Sequence, residues 1–309
     1  MTEPTYTLHF GDCIPGMTEH LDPESVDLTV TSIPFAAIFQ YSGKTEDVGN
    51  ARDGIDFRDT EFGLGFRFFL EQLYRVMAPG AISCIHVQQL ITTQTEHGYM
   101  GRRDFRGAIV DMFATAGFHW RGEVCIPKNP QVIAQRQKLH SLLFITGKRD
   151  ARKLAPAVND YVLIFGKPGD GKPVPALYDV EKNPGGWLTT EEWIRDAHGV
   201  WTDIRETDVL EGWKDVREEG DERHVCPLQL EVIRRCVRLY SNPGDLVMDP
   251  FMGIGSTAYV ALEQGRDAVG FELKESYYEK SLKVARLAMR NRQESSPEMP
   301  LFADLESAS

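Results

Sequence analysis

The chain has 309 residues, 42% of them hydrophobic and 26% charged, with a formal net charge of −12, enough to bury one large core or a core with an inserted module. Its longest apolar runs, Val30 to Phe39 and Val158 to Phe165, stay far below the roughly 20 residues that span a bilayer. Residues 1–20 have no basic start leading into an apolar stretch, and Asp12, Glu19 and Asp22 disfavour a mitochondrial presequence, so the expectation is a cytoplasmic protein without a membrane partner.

In chain order, β-branched runs predict strands at Tyr6–Phe10 and Val26–Thr31. Residues 36–65, polar and punctuated by Gly43, Gly49, Gly54, Gly63 and Gly65, read as a long loop of the kind that covers a site at a strand end. A helix at Phe66–Met77, a strand at Ala81–His86, a helix at Phe105–Ala116 and strands at Gly122–Ile126 and Val158–Phe165 follow. Residues 168–223 hold Trp187, Trp193, Trp201 and Trp213 among prolines, glycines and acids. They read as a separate small module or arm whose tryptophans are packing anchors more often than base stackers. The remaining elements are a helix at Leu228–Tyr240, a strand at Leu246–Asp249, a helix at Ser256–Gln264, a strand at Asp267–Phe271 and a helix at Lys274–Arg292. Beyond Gln293 lies a tail rich in Ser, Glu and Pro, expected to be mobile. The alternation of strands and amphipathic helices argues for an α/β fold with a mainly parallel central sheet.

Charge is distributed unevenly. From Arg121 to Lys153 eight basic residues face only Glu123 and Asp150, a local charge of +6 that leaves −18 elsewhere. Lys128, Arg136, Lys138, Lys148, Arg149, Arg152 and Lys153 are therefore candidate phosphate contacts, since each neutralised phosphate adds counterion-release free energy; a solvated charged loop is the plainer alternative. The cysteines Cys13, Cys84, Cys125, Cys226 and Cys236 are scattered, with no C-x-x-C pair and no histidine at ligand spacing, so reduced thiols and no metal site are expected. No Pro-Cys dipeptide supports a catalytic thiol.

From Asn242 to Thr257 the chain passes from a Pro-Gly turn through an apolar strand and a glycine-bearing turn to a helix opening at Ser256 or Thr257. Gly253 and Gly255 allow close backbone approach to a ligand and leave helix N–H groups available. The next strand ends in Glu272, where a carboxylate can accept from both hydroxyls of a ribose. By spacing alone a dinucleotide site stays open, with Ala258 standing for the third small residue of that fingerprint.

The wider context is more specific. Asp249-Pro-Phe-Met-Gly-Ile-Gly-Ser-Thr257 closely resembles the cofactor loop of DNA amino-methyltransferases. Thr31-Ser-Ile-Pro-Phe35 resembles the family's catalytic tetrapeptide, His9-Phe-Gly-Asp-Cys13 its opening Gly-Asp strand end, and His224-Val-Cys-Pro-Leu-Gln-Leu-Glu231 its helix entry before the cofactor strand. The chain is thus similar to the β-group, in which the catalytic loop precedes the cofactor loop. The resemblance implies a Rossmann-like methyltransferase fold in circularly permuted order. Residues 1–168 would form the catalytic half with DNA-facing insertions at 36–65 and 127–157. Residues 169–223 would form an arm for target recognition or dimer contact, 224–292 the cofactor half and 293–309 the tail.

It also implies S-adenosylmethionine as cofactor, held by Asp12, His224, Asp249, Phe251, Gly253, Gly255, Ser256, Thr257 and Glu272. His224 would act as an oriented helix-entry residue, and Asp12 could equally be a turn residue. Ser32 would accept from the target amino group with the Ile33 carbonyl as backbone partner. Pro34 would stiffen the turn and Phe35 would stack on a flipped base. Ile33 departs from the family's usual proline at that position. The expected activity is site-specific methylation of an exocyclic amino group in double-stranded DNA, with adenine N6 slightly ahead of cytosine N4, although serine at position 32 leans towards the latter. A homodimer reading a partly symmetric site is expected, in a restriction-modification or orphan setting. Rival readings are an RNA or small-molecule methyltransferase, an inactive DNA-binding protein on the same fold, and a Rossmann oxidoreductase.

Overall fold

A computed structural model describes residues 3–34, 61–92, 98–136, 140–212 and 227–295. The first strand, β1 (Tyr6–Phe10), leads into helix α1 (Cys13–His20), then β2 (Val26–Ser32). After α2 (Glu61–Val76) and β3 (Met77–Gln88) come a short antiparallel pair, β4 (Leu90–Thr92) and β5 (Gly101–Arg103), then α3 (Phe105–Thr115) and β6 (His119–Ile126). The basic segment contains α4 (Pro130–Arg136) and α5 (Phe144–Arg149) and ends at β7 (Asp160–Gly166). An arm bearing α6 (Thr190–Asp196) precedes α7 (Leu230–Tyr240), β8 (Leu246–Asp249), α8 (Ser256–Glu263), β9 (Asp267–Glu272) and α9 (Glu275–Ser295).

Among the described residues seven strands form one sheet in the order β1-β9-β8-β2-β3-β7-β6. β1, β9, β8, β2 and β3 are parallel neighbours, and β7 runs antiparallel to both β3 and β6. The central strands are buried along nearly their whole length, as in β2, where five of seven residues are buried. That burial requires cover on both faces. One face carries the cluster of Phe62, Phe66, Phe69, Leu70, Phe105 and Phe113 from α2 and α3. The other carries Val232, Ile233, Val237, Val260, Ala261 and Ala285 from α7, α8 and α9. The expected α/β architecture with a mainly parallel sheet in permuted order is therefore present.

Several boundaries differ from the sequence reading. Helix α1 was not anticipated, because Cys13-Ile-Pro-Gly looks like a turn. Pro15 lies in the first turn, where its missing N–H costs no hydrogen bond, and Asp12 caps the helix by accepting from Ile14 N–H at 2.8 Å. Gly16 is needed there, since a Cβ would stand 2.6 Å from the Phe271 ring. α2 starts at Glu61, so Gly63 and Gly65 are helical: burial of Phe62, Phe66, Phe69 and Leu73 on one face outweighs the propensity loss. β3 begins at Met77, and a register shift against β2 between Val26 and Leu28 absorbs the Pro79-Gly80 turn. Helices α4, α5 and α6 and the β4–β5 pair lay in stretches without a readable period. Residues 36–60 of the expected loop, Trp213 and 296–309 of the tail fall outside the described residues.

The arm is fastened to the core by charge and aromatics together. Asp196, whose side chain is fully buried, meets Arg195 Nε at 2.8 Å, Arg235 Nε at 3.3 Å and Arg238 Nε at 2.5 Å. Trp201 is buried in the second cluster, donates to Asp196 O at 3.0 Å and lies under the Arg235 guanidinium. Trp187 donates to Arg238 O at 2.8 Å. In these two tryptophans packing is the observed role, whereas Trp193 is 44% exposed.

Candidate functional site

The direction of chain progression reverses between β8 and β2. From β8 the chain crosses through α8 to β9 on one side, and from β2 through α2 to β3 on the other. Loops leaving adjacent strands at such a point diverge and open a crevice beyond their carboxyl ends. The loops that carry Ser32 and Asp249 leave these two strands, which pair through Leu28 with Val247 and Thr29 with Met248.

Asp249 ties the loops together. Its Oδ1 accepts from Thr31 Oγ1 at 2.6 Å and from Phe251 N–H at 3.1 Å, and its Oδ2 accepts from Thr257 Oγ1 at 2.7 Å. Burial pushes its carboxyl up to about 6, against the downward pull of the Thr31, Thr257 and Phe251 donors. Thr257 and Ser256 are buried as well, so both act within the wall of the crevice. Phe251 packs on Phe69 with ring centroids 5.0 Å apart.

The glycine turn is open. Gly253 has φ +55 and Gly255 φ +90, backbone conformations that disfavour side chains, and Gly255 forms the start of α8. A Cβ on Gly253 would meet nothing within 4 Å, whereas one on Gly255 would stand 3.0 Å from Ser281 Cβ. Glu272 reaches under this turn: its Oε2 accepts from Gly253 N–H at 2.8 Å and its Oε1 from Lys274 N–H at 2.7 Å. A carboxylate oxygen has lone pairs for more than one donor, so a hydroxyl can join these amides. Gly11 N–H donates to Glu272 O at 2.9 Å, which brings Asp12 alongside at the next strand end. Open space over a glycine, a carboxylate able to accept from a hydroxyl and the N-terminus of α8 together suit a nucleoside with an anionic tail.

Across the crevice, Ile33 is 1% exposed and packed in the first cluster. A buried side chain anchors this loop position where the family pattern would use a ring. Pro34 follows, half-buried. Ser32 Oγ lies 2.8 Å from His86 Nδ1, its register partner on β3. His86 Nε2 lies 3.3 Å from Asp160 Oδ2, and that oxygen is 2.6 Å from Lys128 Nζ. Gln88 Nε2 donates to the other oxygen of Asp160 at 2.9 Å. Burial alone would raise Asp160, but the adjacent His86 ring, with Lys128 added, holds it below the usual carboxylate range. Because β7 is antiparallel, its first residue stands at the carboxyl edge of the parallel strands, which is what brings Asp160 to the site.

Sequence reasoning missed His86 and Asp160. The signal was present as polar residues at the ends of apolar strands, in Cys84-Ile-His86 and Asn159-Asp-Tyr-Val162. Lys128 departs from the expected surface role: its side chain is 8% exposed and faces Asp160, so a phosphate would have to compete with a carboxylate. Lys148, Arg149, Arg152 and Lys153 are exposed, with Arg152 Nε 2.9 Å from Asp150. Arg136 ends α4. Phe35, Lys138 and His224 lie outside the described residues. Among the described residues no cluster of three His, Cys, Asp or Glu could hold a metal ion, and no helix is long and apolar enough to cross a membrane.

The family model described as DNA methylase, of the N6/N4 methyltransferases, matches residues 26–283. The chain belongs to this DNA methylase family. The expected resemblance to the amino-methyltransferases is borne out, with the strand that leads to Ser32 preceding the strand that leads to Asp249. Among curated family relatives, the type II methyltransferase M.MjaI of Methanocaldococcus jannaschii is 27% identical over 67% of this chain and 61% of its own length. M.MthZI of Methanothermobacter thermautotrophicus is 24% identical over 83% of this chain and 70% of its own. The chain thus spans less than two thirds of M.MjaI. Two solved methylases share the fold. A DNA modification methylase of Thermus thermophilus, complexed with S-adenosyl-L-methionine, superposes with a TM-score of 0.64 at 23% identity over 91% of this chain and 94% of that one. PvuII DNA methyltransferase, cytosine-N4-specific, gives 0.57 at 18% identity over 94% of each chain.

Proposed function

We propose that this chain is an S-adenosylmethionine-dependent DNA methyltransferase that modifies an exocyclic amino group of a base turned out of the duplex. The observation that carries the reading is the union of the Ser32 and Asp249 loops at one switch point, held by the Thr31–Asp249–Thr257 hydrogen bonds. Family membership and the solved methylase complexed with S-adenosyl-L-methionine support the choice of cofactor.

When bound, S-adenosylmethionine supplies an activated methyl group on a sulfonium. Glu272 would take the ribose hydroxyls and Gly253 would leave room for close backbone approach. Asp12, at the adjoining strand end, would face the remainder of the nucleoside or the amino-acid tail. Ser32 would accept from the amino group and Ile33, fixed by its buried side chain, would hold its own carbonyl in place for a second contact. Positioning then supplies most of the rate, because the donor is already activated. Adenine N6 is the first target in this reading, and Ser32 in place of aspartate favours cytosine N4 as the second.

Incubation of the purified protein with tritiated cofactor and unmethylated plasmid, followed by nucleoside mass spectrometry, tests this. The expected product is N6-methyladenine, with N4-methylcytosine as the outcome of the second reading. Absence of both, in a protein whose melting temperature rises with the cofactor, would leave the inactive DNA-binding alternative standing.

A further inference from the structure

Besides lacking a charge, Ser32 differs from an aspartate at the same place in its hydrogen bonding: a carboxylate only accepts, while a hydroxyl can also donate. Which one a serine does depends on where its single hydrogen goes. His86 Nδ1 lies 2.8 Å from Ser32 Oγ, and on the far side of the ring Nε2 lies 3.3 Å from the Asp160 carboxylate. The carboxylate acts on Nε2 through its negative charge rather than a hydrogen bond, and that charge favours the tautomer with hydrogen on Nε2, which leaves Nδ1 as an acceptor. The Ser32 hydrogen must then point at His86, and only oxygen lone pairs face the crevice.

We propose that His86 is a positioning residue for methyl transfer, which makes Ser32 an obligate acceptor and takes up its proton through Nδ1 when the target amino group gives up one of its own. The step rests on the methyltransferase reading above. The amino nitrogen lone pair forms the new N–C bond and the C–S bond breaks with its electron pair left on sulfur. One amino proton moves to Ser32 Oγ and the former Ser32 proton to Nδ1. The positive charge lost from the sulfonium reappears on the imidazolium, beside Asp160. Asp160 from β7 and Lys128 from the segment after β6 are the charged groups that the described residues turn towards the ring on its Nε2 side; Ser32 from β2 faces Nδ1. Both His86 and Asp160 are buried, at 8% and 6% exposure, so the carboxylate charge acts on the ring with little solvent screening.

Nitrogen-15 NMR of the full-length protein labelled at histidine reads the polarity directly, with His86→Asn assigning the signal. The expected spectrum has His86 protonated at Nε2, with an Nδ1 resonance that moves in Ser32→Ala. Single-turnover methylation gives the second readout. His86→Ala should slow the chemical step on the order of 100-fold, with DNA and cofactor affinity unchanged. His86→Asn, which places an amide oxygen acceptor near the former Nδ1 position, should recover part of the rate.

A proton on Nδ1, or a wild-type rate in His86→Ala, would overturn the inference. Loss of cofactor affinity in His86→Ala, with affinity and rate recovering together in His86→Asn, would assign the ring a structural role instead. If the wild type transfers no methyl group, the methyltransferase reading fails and the catalytic step falls with it. The ring tautomer still separates that failure from a wrong hydrogen-bond polarity.

Discussion

At the end of β8 the Asp249 carboxylate is sealed from water and accepts from two threonine hydroxyls and one backbone N–H. Its folded value of about 6 lies above the ordinary 3.8, so the folded state favours the proton. The stability tied to this group is fully present below the unfolded value and is lost as pH rises through 6. At pH 8 the buried charge costs about 3 kcal/mol. Asp249→Asn keeps the shape: its amide oxygen accepts from Thr31 and Phe251, and its amide nitrogen donates to Thr257, whose hydroxyl turns fully to Val30 O. The variant should therefore melt at a higher temperature than the wild type at pH 8, and the advantage should vanish towards pH 4. Equal melting temperatures across that range would show that the carboxylate is compensated by something other than these three donors. At this scale the sequence was informative about residue identity and less so about action. The Asp249 motif was recognisable, but that Asp249 and Thr257 brace two strands rather than point outward depends on their burial. The His86 partnership joins three strands that no local pattern connects.

Among the elements, the arm after β7 shows how a polar segment is held on an apolar core. Asp196 at the end of α6 is fully buried and serves Arg195, Arg235 and Arg238 at once, with Arg235 also paired to Asp203 and Glu231. Removing one member of such a buried network strands the others, typically at 3 to 5 kcal/mol, about the cost expected of Asp196→Ala. Urea unfolding would report the loss, and pulse proteolysis should show cleavage within 169–212 at lower urea than in the wild type. An unchanged midpoint would mean that Trp187 and Trp201 carry the arm without the ions. The helices and strands of the core were readable because burial imposes periods of 3.6 and 2 on them. α1 and the first turns of α2 were not, since Pro15, Gly16, Gly63 and Gly65 signal turns locally and only the rings packed against them reverse that.

For the molecule as a whole, the proposed role on DNA calls for basic residues gathered where a duplex would lie, against a net charge of −12. Lys148, Arg149 and Lys153 are exposed on and just after α5, close in sequence to Phe144, which is 73% exposed. Replacing all three by alanine should flatten the dependence of log Kd for DNA on log salt by about 3 and weaken binding alike across sequences, with cofactor affinity intact. A slope that does not change would move the phosphate contacts elsewhere on the surface. This segment leaves the sheet after β6 beside Lys128 and re-enters it at Asp160, and those two residues are clasped to each other at 2.6 Å directly behind His86. The clasp sets a practical seam for protein engineering. On the proposed reading, a chimaera that imports another segment between the two should leave the Ser32–His86 contact in place, whereas one spliced outside them would exchange the support of His86 along with the segment.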